Sequence, residues 1–161
     1  MCLHSYGEAN KIMKNLNKIF IIEDDLNILY GLRDIFASND FELDISDSKE
    51  DLEELISKIR KFKPDSIILD MVLPEIDGQE LIRRIKSDSE ISNAEIFIFT
   101  DLSDEDGRAR GVGLGANYYF MKNEFDIYVF SGKVMRVMRR ESLSADDEKD
   151  DEETEDLLIM D

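Results

Sequence analysis

Short β-branched and aromatic runs alternate along this chain with longer stretches in which apolar residues recur every three or four positions. The apolar runs predict strands near 18–23, 41–46, 65–70, 95–100 and 117–121, and the stretches between them carry helical spacing. Ile28, Leu32, Ile35 and Phe36 share one face of the first helix. Leu52, Leu55, Ile56 and Ile59 form the stripe of the second, with Ser48 as its expected cap, and Leu81, Ile82 and Ile85 form that of the third, after Gly78. Because parallel strands need crossover connections, strict strand–helix alternation predicts an α/β fold, a doubly wound parallel sheet with helices on both faces.

Two helical regions break the pattern in opposite directions. The fourth, about 103–114, holds Gly107, Gly111 and Gly113, each costing about 1 kcal/mol relative to Ala inside a helix, with Gly115 placed to cap its end. It is expected to be labile. Its Gly-Val-Gly-Leu-Gly run lacks the spacing of a dinucleotide loop and precedes a strand instead of following one. The fifth, about 124–140, has more apolar residues than one buried stripe needs, consistent either with a homodimer surface or with a deeply buried helix. It ends in Arg136, Arg139 and Arg140, where cations complement the helix dipole.

At 161 residues, the chain has room for one domain with a proper core plus tails. The expected organisation is an N-terminal extension over 1–17, a domain over 18–140 and an acidic, disordered tail over 141–161. The net charge of −18 is concentrated in the tail, where eleven acids face Lys149 alone, a net of −10. A chain this acidic is repelled by phosphate backbones, so protein partners are expected and direct nucleic-acid binding is not. One cysteine excludes an intrachain disulfide, and no apolar run approaches the ~18 residues of a membrane span. Without a signal-peptide pattern, the cytoplasm is the expected location.

Candidate chemistry lies at the ends of the strands. Ile19 to Ile22 runs into Glu23, Asp24 and Asp25; Ser66 to Leu69 runs into Asp70. Parallel sheets bind ligands beyond the carboxyl ends of their strands, so these acids are expected to share a rim. Carboxylates about 4 Å apart repel by roughly 4 kcal/mol at an effective dielectric near 20. A hard cation relieves that repulsion, and an all-oxygen set selects Mg²⁺, whereas His4 and Cys2, the only candidates for zinc chemistry, both lie in the extension. The fourth strand ends at Thr100 and the fifth at Lys122, adding a hydroxyl and an ammonium to the rim.

Across about 18–140 the chain resembles the receiver domain of two-component response regulators. The resemblance rests on Glu23-Asp24 after the first strand, Asp70 within Leu-Asp-Met-Val-Leu-Pro-Glu-Ile-Asp-Gly, Thr100 after the fourth strand, and Lys122 three residues after Tyr119. It implies a flavodoxin-like sheet of strand order 2-1-3-4-5, with Asp70 accepting a phosphoryl group from a sensor histidine kinase or phosphotransfer protein. Asp24, Asp70 and the Val72 carbonyl would hold Mg²⁺, with Glu23 acting mainly through a metal-bound water. Lys122 would stabilise the transferring group, Thr100 would bind the phosphoryl, and Tyr119 would turn from exposed to buried. Asp101 stands where the family usually has a small residue and Asn123 where it usually has a cis proline. Both keep a second reading open, an adaptor that does not accept phosphate. A haloacid-dehalogenase-type phosphatase would need an acid two residues beyond the nucleophile, where this chain has Val72. The downstream protein target is not encoded in any motif. The acidic tail has a candidate resting place, since the fourth and fifth helices carry the basic residues Arg108, Arg110, Lys133, Arg136, Arg139 and Arg140.

Overall fold

The computed structural model describes residues 17–101 and 105–140. The expected extension, apart from Asn17, and the expected acidic tail lie outside these residues. Five strands alternate with five helices: β1 (Lys18–Ile22), α1 (Leu26–Ala37), β2 (Glu42–Ser46), α2 (Leu52–Phe62), β3 (Ser66–Leu69), α3 (Gly78–Ser87), β4 (Glu95–Thr100), α4 (Glu105–Gly113), β5 (Tyr118–Met121) and α5 (Ile127–Arg139). All strand pairs are parallel, in the order β2-β1-β3-β4-β5.

The central strands read as continuous apolar runs because both of their faces are covered. Phe20, Ile22, Ile67, Leu69, Ile96, Ile98 and Tyr119 point into a core with α2 and α3. Their neighbours Ile19, Ile21, Ile68, Phe97, Phe99 and Phe120 point the other way, into a core with α1 and α5. In that second core Phe99 and Phe130 stack at a centroid distance of 4.0 Å, with Phe120 edge-on at 5.3 Å.

Helix starts follow the acidic caps. Asp25, Asp51, Asp77 and Asp126 each accept hydrogen bonds from the first-turn backbone of the helix that follows. Asp51, not Ser48, therefore caps α2. Its carboxylate reaches the Glu54 N–H at 2.8 Å, while Ser48 sits buried with φ of 66° in the loop before. Within α1 the buried stripe centres on Leu29, Leu32 and Phe36, and Ile28 and Ile35 lie at its half-exposed edges. Gly115, at φ of 112°, closes α4 as expected: its N–H bonds to the Val112 carbonyl and the Ala116 N–H to that of Gly111, the paired pattern of a left-handed cap. No helix among the described residues is long and apolar enough to cross a membrane.

Candidate functional site: the rim at the strand ends

Register decides which side chains meet. Ile22 pairs with Leu69 and Leu69 with Ile98, so Glu23 and Asp70 leave adjacent strands at the same level, with Thr100 just beyond. Thr100 pairs with Met121, and the Lys122 N–H then bonds to the Thr100 carbonyl at 2.8 Å. Four strand ends thereby converge on one carboxylate.

Asp70 is 4% exposed and fully engaged. Its Oδ1 accepts from Thr100 Oγ1 at 2.7 Å and from the Val72 N–H at 2.9 Å, and its Oδ2 receives Lys122 Nζ at 2.7 Å. Lys122 also reaches Glu23, at 2.9 Å to Oε2 and 3.1 Å to Oε1. Glu23 is buried, Asp24 is exposed, and one carboxylate oxygen from each of Glu23, Asp24 and Asp70 lies within 4.8 Å of the others. Burial pushes the Glu23 carboxyl up to about 7; the Lys122 hydrogen bond opposes that rise and the charge on Asp70 adds to it. Lys122 moves up as well, because its hydrogen bonds to Asp70 and Glu23 and their charges outweigh the effect of burial.

This donor set fits a hard divalent cation. All three side chains offer oxygen, the exposed Asp24 keeps one side open to water, and a second positive charge would favour the ionised Glu23 that burial and the Asp70 charge disfavour. Lys122 bridges the two buried acids.

The segment after Asp70 is held by a contact that the sequence suggested only as a helix start. Residues 72 and 77 form an antiparallel bridge, Asp77 caps α3 by accepting from the Gln79 N–H at 2.9 Å, and Gly78 lies against the Met71 backbone. A Cβ at Gly78 would stand 2.6 Å from the Met71 carbonyl oxygen and 2.8 Å from its Cα. Only glycine permits that approach, which pins the backbone immediately beyond Asp70. The Asp-Gly pair before an apolar stripe was the available signal; the contact partner was not readable.

The remaining expected positions fall out as follows. Asp25 is the α1 cap, and its N–H bonds to Glu23 Oε1 at 3.0 Å. Asp101 is exposed beside the rim. No peptide among the described residues is cis, so Asn123 follows Lys122 through a trans bond, in a turn closed by the Glu124 and Phe125 N–H groups on the Met121 carbonyl. Lys122 reaches Asp70 all the same. Tyr119 is 1% exposed, and Thr100 bonds to Asp70.

Fold and rim together define a class, and the comparisons with known proteins agree. Residues 19–130 match the response regulator receiver domain, and the chain belongs to that family, the receiver of two-component systems. It is 31% identical over 127 residues to the response regulator ArlR of Staphylococcus saprophyticus, a match covering 78% of this chain and 54% of ArlR. It is 30% identical over 125 residues to the phosphate regulon transcriptional regulatory protein PhoB of Rhizobium meliloti, covering 78% and 53%. The chain thus spans about half the length of the curated relatives it matches. Among solved structures, a CheY-like response regulator receiver domain protein from Methanospirillum hungatei superposes with a TM-score of 0.67 at 21% identity, covering 78% of this chain and 95% of that one, which establishes the shared fold.

Proposed function

We propose that this receiver accepts a phosphoryl group on Asp70 from a sensor histidine kinase or phosphotransfer protein, with Mg²⁺ as cofactor, and signals through protein contacts without binding nucleic acid itself. The observation that carries this is the convergence of a hydroxyl, an ammonium and two further carboxylates on the buried Asp70. Asp24, Asp70 and the Val72 main-chain carbonyl would hold the ion, with Glu23 contributing through a bound water. Bound Mg²⁺ supplies positive charge against the phosphoryl oxygens, which is where catalysis of phosphoryl transfer mostly resides.

The protein's own part follows from position. An Asp70 oxygen attacks phosphorus; the donor's N–P bond breaks, its electron pair returns to the histidine ring, and a solvent proton neutralises that ring. Lys122 shifts from bridging Asp70 and Glu23 to the phosphoryl oxygens. Thr100 exchanges the Asp70 oxygen for a phosphoryl oxygen, and Tyr119 and α4 respond to that exchange as the switch. Val72, 55% exposed, supplies no acid or base where a dehalogenase-type phosphatase needs one.

The test is incubation with acetyl phosphate, with and without Mg²⁺, read by intact mass. The native chain should gain one phosphoryl group only with Mg²⁺, and Asp70→Asn should gain none. A phosphoryl group on Asp70→Asn, or equal gain without Mg²⁺, would place the chemistry elsewhere. A native chain unmodified at saturating donor would favour the adaptor reading.

A further inference from the structure

The outward face of α5 is not built like an ordinary solvated helix surface. Opposite the buried Phe130, Ser131 and Val134, one stripe runs through Tyr128, Val129, Gly132, Lys133, Arg136, Arg139 and Arg140. Its N-terminal end is apolar, with Tyr128 71% and Val129 48% exposed. Its C-terminal end carries four cations, and no acid occurs between residues 127 and 140. These cations have local contacts as well. Lys133 lies over the Phe125 ring, Arg139 bonds to the Asn39 carbonyl, and Arg140 pairs with Glu95. Between the two ends, Gly132 costs the helix about 1 kcal/mol relative to Ala. A Cβ there would meet nothing within 4 Å. No packing against the rest of the domain calls for a glycine at that point, and its effect is a notch in the exposed face where another backbone can approach.

We propose that the chain's own residues 141–161 lie back along this face, antiparallel to α5, with the acidic run on the cations and Leu157 to Met160 on Tyr128 and Val129. The order of chemistry matches: the segment leaves α5 at the cationic end, runs through nine acids between 146 and 156, and closes with Leu157-Leu158-Ile159-Met160. The reach matches too. Twelve helical residues from Arg140 back to Tyr128 span about 18 Å, and the sixteen residues between Arg140 and Leu157, taken as a flexible linker, have a root-mean-square reach of ~22 Å. Tethering keeps the segment at millimolar effective concentration without any partner. A docked segment must be displaced by a partner that uses that face. The docking does not depend on Asp70 accepting phosphate, so the two fail separately.

The experiment uses the full chain. A nitroxide is attached at Asp161→Cys in a Cys2→Ser background, and amide line broadening is mapped across the domain. Docking predicts broadening centred on residues 125–132 and roughly twofold or more stronger at Tyr128 than at Arg139, as expected for a closed tether. It should fall in ~1 M salt, where charges are screened beyond about 3 Å. It should also be lost in a Leu157→Ser, Leu158→Ser, Ile159→Ser variant, whose changes lie outside the described residues. A solvated tail would instead broaden residues 139–140 most and fade along the helix, and that pattern would overturn the proposal. So would broadening that appears only between spin-labelled and isotope-labelled copies in a mixed sample, which would assign the face to a second copy of the chain.

Discussion

Helices α3 and α4 are successive crossovers on the same face of the sheet, and they hold the rim in different ways. α3 is capped by Asp77, carries Glu80 in its first turn and Arg84 and Lys86 in its last, and buries Leu81, Ile82 and Ile85. Pairs from Arg84 to Glu53 and from Arg60 to Asp88 tie it and its end to α2. α4 turns Gly107 and Gly111 inward, so its backbone rests on Ile98 and Tyr119 with few side-chain anchors of its own. The first helix fixes the loop behind Asp70, while the second lays Gly111 against Ile98 and the Tyr119 ring. On the proposed function both matter, because a phosphoryl group could drive only an element whose alternative states differ by little free energy.

Glycine substitutions test this contrast most directly. Gly78→Ala should destabilise the domain by about 1–3 kcal/mol, the range for forced overpacking. Its Cβ meets Met71 backbone atoms, which cannot swing aside. Urea denaturation should show a lower midpoint at unchanged slope, and a midpoint equal to the native one would remove the pinning role assigned to Gly78.

Protonation of the rim comes next in size. The folded-state pKa of Glu23, about 7, lies above its ordinary 4.5, so the metal-free folded protein holds a proton that the unfolded chain releases in that window. The associated stability is full below about pH 4.5 and is lost progressively as pH rises through 7. Glu23→Gln should flatten that part of the stability profile, and an identical slope in the variant would assign the pH dependence to other groups.

Gly113→Ala should move α4 the other way. Nothing lies within 4 Å of its added Cβ, so the helix gains about 0.5–1 kcal/mol from the better helix former. Gly111→Ala is the stricter probe, since its Cβ would stand 2.9 Å from Ile98 Cδ1 and 3.8 Å from Tyr119 Cδ2. Ile98 can give way only by repacking beside Tyr119, so a changed Tyr119 ring environment by NMR is expected at Gly111 and not at Gly113. The smallest effect is in hydrogen exchange. Amides of residues 105–113 should exchange faster than those of β1, β3 and β4, and should slow on addition of a phosphoryl mimic. Equal, strong protection in both states would contradict the division of labour between α3 and α4.

Five strands, five helices and their order were legible because each strand is a compact apolar run and each crossover has a period near 3.6. The chemistry of the rim was legible for a related reason. Glu23, Asp70, Thr100 and Lys122 each terminate or directly follow such a run, and parallel strands deliver their ends to one edge. Helix starts were less secure, because Ser48 and Asp51 satisfy the same local rule and only the backbone conformation of the loop selects Asp51. Tertiary structure alone decided what depends on distance between remote segments. It set the close approach of Gly78 to Met71, the bridging of Glu23 and Asp70 by Lys122, the inward Tyr119 beneath Gly111, and the exposure of Tyr128 and Val129 on a helix whose composition left a homodimer surface and deep burial equally open. Periodicity assigns a residue to a face, but what the face meets is set by the register of neighbouring strands and the packing of helices across them, and neither is a local property of the chain.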